Sequence, residues 1–431
     1  MSLSAALSSA VSSLQAQSVA LSAIAQNISN SSTTAYKVKE TTFEAILSGT
    51  MGGSSSQSSA GVRALTSQAM LVQGTISSSA VDTNMAISGS GYFVVSSDPD
   101  AGASATAYSR NGSFSTNSEG YLVNSEGYYL MGYATDADGA VVGSKTVGNL
   151  TALDLSDISS PAQATSTMSY AANLPANAAV GDVFTTSTEI FDSLGNSHTV
   201  EQSWTKTGEN SWTLSVSDPT STGDATTTTG ALTPNSFTVT FDANGALASV
   251  SPASSTDAAS IEFTIDYNNG AADASIAMDL GTVGGIDGLT QYSDTSSDID
   301  IDLGATGQNG YAAGALTGVS ISGSGLVTAT FDNGASRAIY QIPVATFTSE
   351  SGLQQVSGTV YKATAQSGLL QISMPGDGGA GELVTSALEG STTDTSTEFN
   401  KMIVAQQAYS AASQVMSTVN TMFDTLLQAV R

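Results

Sequence analysis

Cysteine is absent from this chain, and histidine occurs once, at His198, in 431 residues. The first absence excludes disulfides, thiolate metal sites and cysteine nucleophiles, and assigns no compartment by itself. One histidine without cysteine cannot assemble the usual zinc ligands. No G-x-S-x-G occurs either, so His198 has no identifiable nucleophile to serve and reads as a surface or turn residue. Lys and Arg number ten against 37 Asp and Glu, for a net charge of -27. Without a basic cluster there is no surface for the phosphates of nucleic acid or of an anionic membrane. No apolar run approaches a membrane span. The opening MSLSAALSSAVSSL has neither a basic start nor a continuous apolar stretch, so it is no conventional secretory signal. Export, if it occurs, takes a route without a cleaved leader. These absences leave no catalytic residue, cofactor, metal, nucleic acid or membrane insertion to expect.

What is present is concentrated at the ends. Leu3, Leu7, Ala10, Leu14, Gln17, Leu21, Ile24 and Ile28 recur at alternating steps of four and three. Met402, Ala405, Tyr409, Ala412, Met416, Val419, Phe423, Leu426 and Val430 do the same near the finish. Both are heptad seams, which must be buried against other helices, either each other or the ends of further copies. Chain ends fray unless tied down, and these are apolar and free of proline. The pattern predicts a homopolymer. Residues 2 to about 30 read as one helix of about 40 Å at 1.5 Å per residue. The last helix is expected to start from a capping box of Thr395 and Glu398, or one turn earlier at Thr392.

Between the ends the character changes. All eight prolines lie from Pro99 to Pro375, and all acids but six lie between Asp82 and Leu388. SGTMGGSSSQSSAG at 48–61 has linker composition. Beyond Gln73 the period becomes two, with short strands punctuated by Gly, Asn and Asp. NSEGY occurs twice, at Asn117 and Asn124, each copy placing a turn before an aromatic strand start. Trp204 and Trp212 flank a TKTGEN hairpin turn and are expected in the core. Gly376, Gly378 and Gly381 match G-x-G-x-x-G, but no βαβ alternation surrounds them and Pro375 breaks the preceding strand, so a structural loop is expected. Asp298, Asp300 and Asp302 alternate with Ile299, Ile301 and Leu303. Leu303 and Asn309 stand where a calcium loop needs Gly and Glu, so a strand with one solvated acidic face is expected.

The terminal segments resemble the bacterial flagellar rod and hook axial proteins. ALSSAVSSLQAQSVALSAIAQNISNSSTTAYK is similar to the N-terminal signature of that family at Leu14, Ala16, Asn27, Ile28, Asn30, Thr33, Tyr36 and Lys37, with Ala35 where the family usually has Gly. ALEGSTTDTSTEFNKMIVAQQAYSAASQVMSTVNTMFDTLLQ resembles its C-terminal counterpart at Phe399, Met402, Ile403, Gln406, Tyr409 and Leu426. GSGYFVV and YSRNGSFSTNSEGYLVNSEGYYLMGY are shared by hook and distal rod members. FDSLGNSHTV at 191–200 resembles the hook branch, as does the total length. YQIPVATFTSESGLQQV and PGDGGAGELVTSALEGS also match.

The resemblance implies a mainly β protein with terminal α-helices and nested, discontinuous domains. These are a terminal helical inner-tube pair (1–35 and 388–431), a linker or hinge (36–75), an inner β domain (76–165 and 289–387) and an inserted outer β domain (166–288). It implies a curved tube of identical subunits, a universal joint that passes torque from rod to filament. It further implies contacts with distal rod, hook cap and hook-filament junction proteins, export by the flagellar type III apparatus, and an extracellular place in the flagellum. The seam residues Leu3, Leu7, Leu14, Leu21, Ile24, Ile28, Met402, Tyr409, Met416, Val419, Phe423, Leu426 and Val430 are the expected assembly interface. The competing readings are a distal rod protein and, from another class, a secreted β-rich adhesin.

Overall fold

The computed structural model describes residues 3–48, 58–100, 105–294 and 299–429. The chain divides into two compact units, one of residues 1–157, 318–329 and 337–431, the other of 158–317 and 330–336. Its regular structure is mainly strand, framed by helix α1 (Leu3–Ser29) and helix α2 (Thr395–Ala429).

In the first unit α1 is built from Ala, Leu, Ser and Gln, without proline, glycine or any charged side chain. It gives way at Asn30, where successive turn hydrogen bonds carry the chain through to Tyr36. Ala35 sits there at φ 56, in the left-handed region, and donates its N–H to Glu389 O at 2.8 Å. Strands β1 (Lys39–Ser48) and β2 (Ser58–Gln68) then pair antiparallel from Lys39↔Gln68 to Ser48↔Ser58. The linker expected over 36–75 therefore carries a long hairpin; only 49–57 of its Gly/Ser stretch lies outside the described residues. Polar composition hid it, because a hairpin exposing Thr42, Phe43, Glu44, Ala45 and Ile46 has no buried face to imprint alternation. The hairpin rests on α1 where Gly61, at φ +137, meets Ser12 Oγ. That hydroxyl accepts from Val62 N–H at 3.2 Å and donates to Ser9 O at 2.9 Å.

The β layer of this unit centres on Tyr92–Ser96, buried throughout and paired antiparallel with Thr106–Ser109 and Tyr129–Ala134. Tyr92, Tyr108, Met131, Tyr133, Phe347 and Tyr361 fill its core. Two short ladders close the chain on itself: Ile76–Ser78 pairs with Ala387–Glu389, and Met85–Ser88 with Glu382–Thr385.

The second unit packs two sheets around one core. The longest strand, Ser197–Gly208, pairs with Val183–Phe191 and Ser211–Val216, and the alternation of buried and exposed positions along it is the period-two signal read from sequence. Trp204 and Trp212 are fully buried: Trp204 stacks on Tyr170 at 5.7 Å and Trp212 meets Phe184 at 6.0 Å. The expected insertion end at 288 falls inside this unit. Leu289–Thr290 and Asp302–Gln308 both pair with Thr167–Asn173, so backbone hydrogen bonding carries the boundary to 317. The expected acidic strand starts only at Asp302; Ile299 and Leu303 are exposed, and Ile301 alone packs on the core. Asp298 lies outside the described residues.

One turn recurs in both units. Asn117, Asn124, Asp136, Asp192 and Asp242 each accept two backbone N–H groups with one side-chain oxygen, and each is followed at the third position by a glycine of positive φ. The repeated NSEGY is two instances of this Asx turn.

Candidate assembly site at the helix pair

α1 and α2 pack against each other, antiparallel, with the last turn of α1 beside the first turn of α2. The faces that meet are made mostly of small side chains. On α1 the buried positions are Ala10, Ala16, Ala20, Ala23, Ile24 and Asn27, and on α2 they are Glu398, Ala405, Ala412 and Val419. Of the expected seam, Ile24 and Val419 are buried, while Leu7, Leu14, Leu21, Ile28, Met402, Met416 and Phe423 are half-buried. Tyr409 and Leu426 are exposed, at 43% and 58%. The buried face of α2 is centred on Glu398, Ala405, Ala412 and Val419, and the alternate seam positions Met402, Tyr409, Met416 and Phe423 lie at its margin, with Tyr409 exposed. Val430 lies outside the described residues, and Leu3 is described by its backbone alone.

Sequence periodicity missed the outward face. Phe399, Ile403, Val404, Val415, Met422 and Leu427 are all between 48% and 66% exposed. Val404, Val415, Met422 and Leu426 follow one another at near-helical spacing, forming a second apolar stripe beside the one that α1 covers.

α2 starts at Thr395 with Asp394 as its cap, correcting the expected capping box. Asp394 Oδ1 accepts Ser396 N–H at 2.9 Å and Thr397 N–H at 3.4 Å; the Thr397 hydroxyl, donating to Oδ2 at 3.0 Å, and these backbone bonds hold its carboxyl below the usual range. Thr392 instead accepts from Val38 N–H at 2.8 Å, and Glu398 turns toward α1.

One buried polar node joins the two helices and a second joins the segments that flank them. At the first, Asn27 is fully buried with every amide position filled. Nδ2 donates to Glu398 Oε2 and to Lys39 O, both at 2.9 Å, while Oδ1 accepts from Lys39 N–H at 2.8 Å and the Tyr36 hydroxyl at 3.2 Å. Burial and the Glu398 carboxylate push the Tyr36 phenol up, keeping it a donor. Glu398 Oε1 takes Lys401 Nζ at 2.7 Å.

At the second node, Glu389 is shielded from solvent. Its Oε1 accepts Lys37 Nζ at 2.7 Å and Gly74 N–H at 2.8 Å, and its Oε2 accepts Arg110 Nε at 3.1 Å. Burial lowers Lys37, opposed by Glu389. Arg110 also donates to Gly91 O and Gly89 O, the latter at 2.7 Å. Four stretches of chain thus meet at one carboxylate. A lone Lys or Glu in sequence reads as solvated, so nothing signalled these partners beyond the position of Lys37 and Glu389 in the family-like termini.

The other candidates do structural work. His198, expected at the surface, is 2% exposed. It bridges Asp192 Oδ2 at 3.1 Å and Thr229 Oγ1 at 2.7 Å, because its strand register turns it inward beside Tyr267. The glycine loop closes on itself, Gly376 N–H on Gly381 O and Ala380 N–H on Asp377 O, and no helix follows it: the chain runs on into strand Glu382–Thr385. Among the described residues no helix is long and apolar enough to cross a membrane, and no side-chain cluster could hold a metal.

Comparison with known proteins matches these segments in order. The family described as "Flagella basal body rod protein" matches 7–37, "Flagellar hook protein FlgE/F/G D1 domain" 86–170, "Flagellar basal body protein FlaE D2 domain" 161–311, and "Flagellar basal body rod FlgEFG protein C-terminal" 384–429. The flagellar hook protein FlgE of Rhizobium meliloti (strain 1021) is 34% identical over 443 residues, covering 100% of both chains. The chain belongs to the flagellar hook protein family. The FlgE of Brucella suis is 30% identical over 441 residues, again covering 100% of both, and that of Treponema pallidum 28% over 474, covering 99% of both. Among solved structures the Helicobacter pylori hook protein FlgE2 aligns at 15% identity and TM-score 0.47, over 73% of this chain and 100% of that one. As a hook-family member the chain is a structural subunit, and the 161–311 match spans the region past 288 that pairs with Thr167–Asn173.

Proposed function

We propose that copies of this chain polymerise helically into the curved, flexible tube of the hook, in the extracellular part of the flagellum. The tube acts as a universal joint between rod and filament. Its other contacts are the distal rod, hook cap and hook-filament junction proteins, and the flagellar type III apparatus exports the chain. The observation that carries the reading is the outward face of α2: with α1 already in place, Val404, Val415, Met422 and Leu426 remain exposed. A contiguous apolar stripe in water is costly, and further copies of the same helices are the surface it fits.

The half-buried seam residues, Leu14 and Phe423 among them, hold the pair together, and the outward stripe joins copies. Val415→Asp on the outward stripe should leave the folded monomer intact and abolish tubes, by electron microscopy and sedimentation. Normal tubes from this variant would refute the assignment.

A further inference from the structure

We infer that Asn27 and Glu398 set the register of α1 against α2. The fully buried apolar residues do not do so by themselves. The buried apolar residues of α2, Ala405, Ala412 and Val419, are spaced by seven, and the buried apolar residues of α1 are mostly alanine. Sliding α2 by one heptad, about 10 Å, replaces Ala405 with Ala412 and Ala412 with Val419. The small-residue contacts re-form, while the positions at the margin exchange Met402, Tyr409, Met416 and Phe423 one for the next, apolar for apolar. Such a slide releases Thr392 from Val38 N–H and Tyr36 O, after which the segment 390–394 spans the shift at about 3.3 Å per extended residue.

The polar contact does not survive it. The slide puts Ala405 where Glu398 stood, opposite Asn27, so the Asn27 amide loses its carboxylate while still held by Lys39 and Tyr36 in a place water does not reach. Leaving a buried donor unpaired is penalised far more than a methyl group is rewarded. A single polar residue in an apolar helical seam is an attested means of fixing register. Asn27 and Glu398 are therefore positioning residues, selecting one of several nearly equivalent packings.

The absence of cysteine makes a direct test clean. Ala20 and Ala405 line the same cleft beside the helix pair. Ala20→Cys with Ala405→Cys reports the observed register, and Ala20→Cys with Ala412→Cys reports a one-heptad slide. Both pairs are placed in the full-length chain and treated with a short thiol-bridging reagent. They are tested in the parent, in Asn27→Leu with Glu398→Leu, and in the exchanged pair Asn27→Asp with Glu398→Gln. The parent should bridge 20 to 405 only. In the double-leucine chain that bridge should fall about tenfold and the 20 to 412 bridge appear, while the exchanged pair restores the parent pattern. An unchanged 20 to 405 bridge in the double-leucine chain overturns the inference. So does its loss without a 412 bridge and without rescue, since that reports helices that part rather than slide.

Discussion

Ala35 shows how a single backbone angle ranks substitutions. Its left-handed conformation costs an L-residue roughly 1–2 kcal/mol, and it is fully buried against the strand that carries Glu389. Ala35→Gly relieves that strain but gives up a buried methyl and adds freedom to the unfolded chain, so stability should change by less than about 1 kcal/mol. Ala35→Val places a branched side chain at the same angle and should lose at least about 2 kcal/mol in denaturant unfolding. Charge obeys a similar ranking by environment. Removing Glu389 strands Lys37 and Arg110 in the interior, so Glu389→Ala should cost about 3–5 kcal/mol. Arg63→Ala breaks only an exposed cross-strand pair with Glu44 and should cost below about 1 kcal/mol.

Asp192 gives the pH dependence at this scale. Burial alone would raise its carboxyl, but hydrogen bonds from Asn196, Asn269 and His198 outweigh burial and hold it well below the usual range. A depressed folded pKa means stability that is complete above the unfolded value, about 3.9, and is lost as pH falls below it. The second unit should therefore weaken steeply in acid. Asp192→Asn should lower its neutral stability by about 1–3 kcal/mol, since an amide would point a donor at other donors. It should also flatten the acid limb in pH-dependent thermal melts.

At the scale of elements, legibility followed burial contrast. Both helices, the Trp hairpin and the Asx turns were readable because each imposes a period or a fixed glycine. The β1–β2 hairpin was not, since its outer part buries no face, and Asp394 was overlooked as cap because two threonines nearby fit the simpler pattern. Periodicity also could not tell which stripe of α2 meets its own chain and which is left outward, because apolar residues occupy both. The distinction is testable. Phe423→Asp, on the half-buried side, should lower the helix content and protease resistance of the monomer. Val415→Asp should change neither and affect only polymerisation.

For the whole molecule, the expected insertion of 166–288 lies within the compact unit of 158–317 and 330–336, whose sheet takes in strands beyond 288. The strands Leu289–Thr290 and Asp302–Gln308 are short, exposed in part and weakly patterned, and only their pairing with Thr167–Asn173 reveals where they belong. Fragment 158–317 should show a cooperative thermal transition by Trp fluorescence. Fragment 166–288 should not, for it strips two strands from Thr167–Asn173 and leaves it paired with Ala274–Asp279 alone. Deleting 158–317 with a short Gly/Ser bridge should still yield tubes, though straight or irregularly curved, by electron microscopy.

The uncharged α1 has a consequence for any structure built from many copies. Stacking identical subunits brings each residue near its own replicas, so a single ionised side chain becomes a column of like charges whose repulsion grows with every copy added. The rest of the chain incurs that repulsion, at -27 per copy; α1 does not. A polymer of such subunits is a polyanion that gathers counterions, while its α1 helices add no repulsion of their own. Raising salt from 0.01 M to 0.1 M shortens the screening length from about 30 Å to about 10 Å, and the critical concentration for polymerisation should fall accordingly.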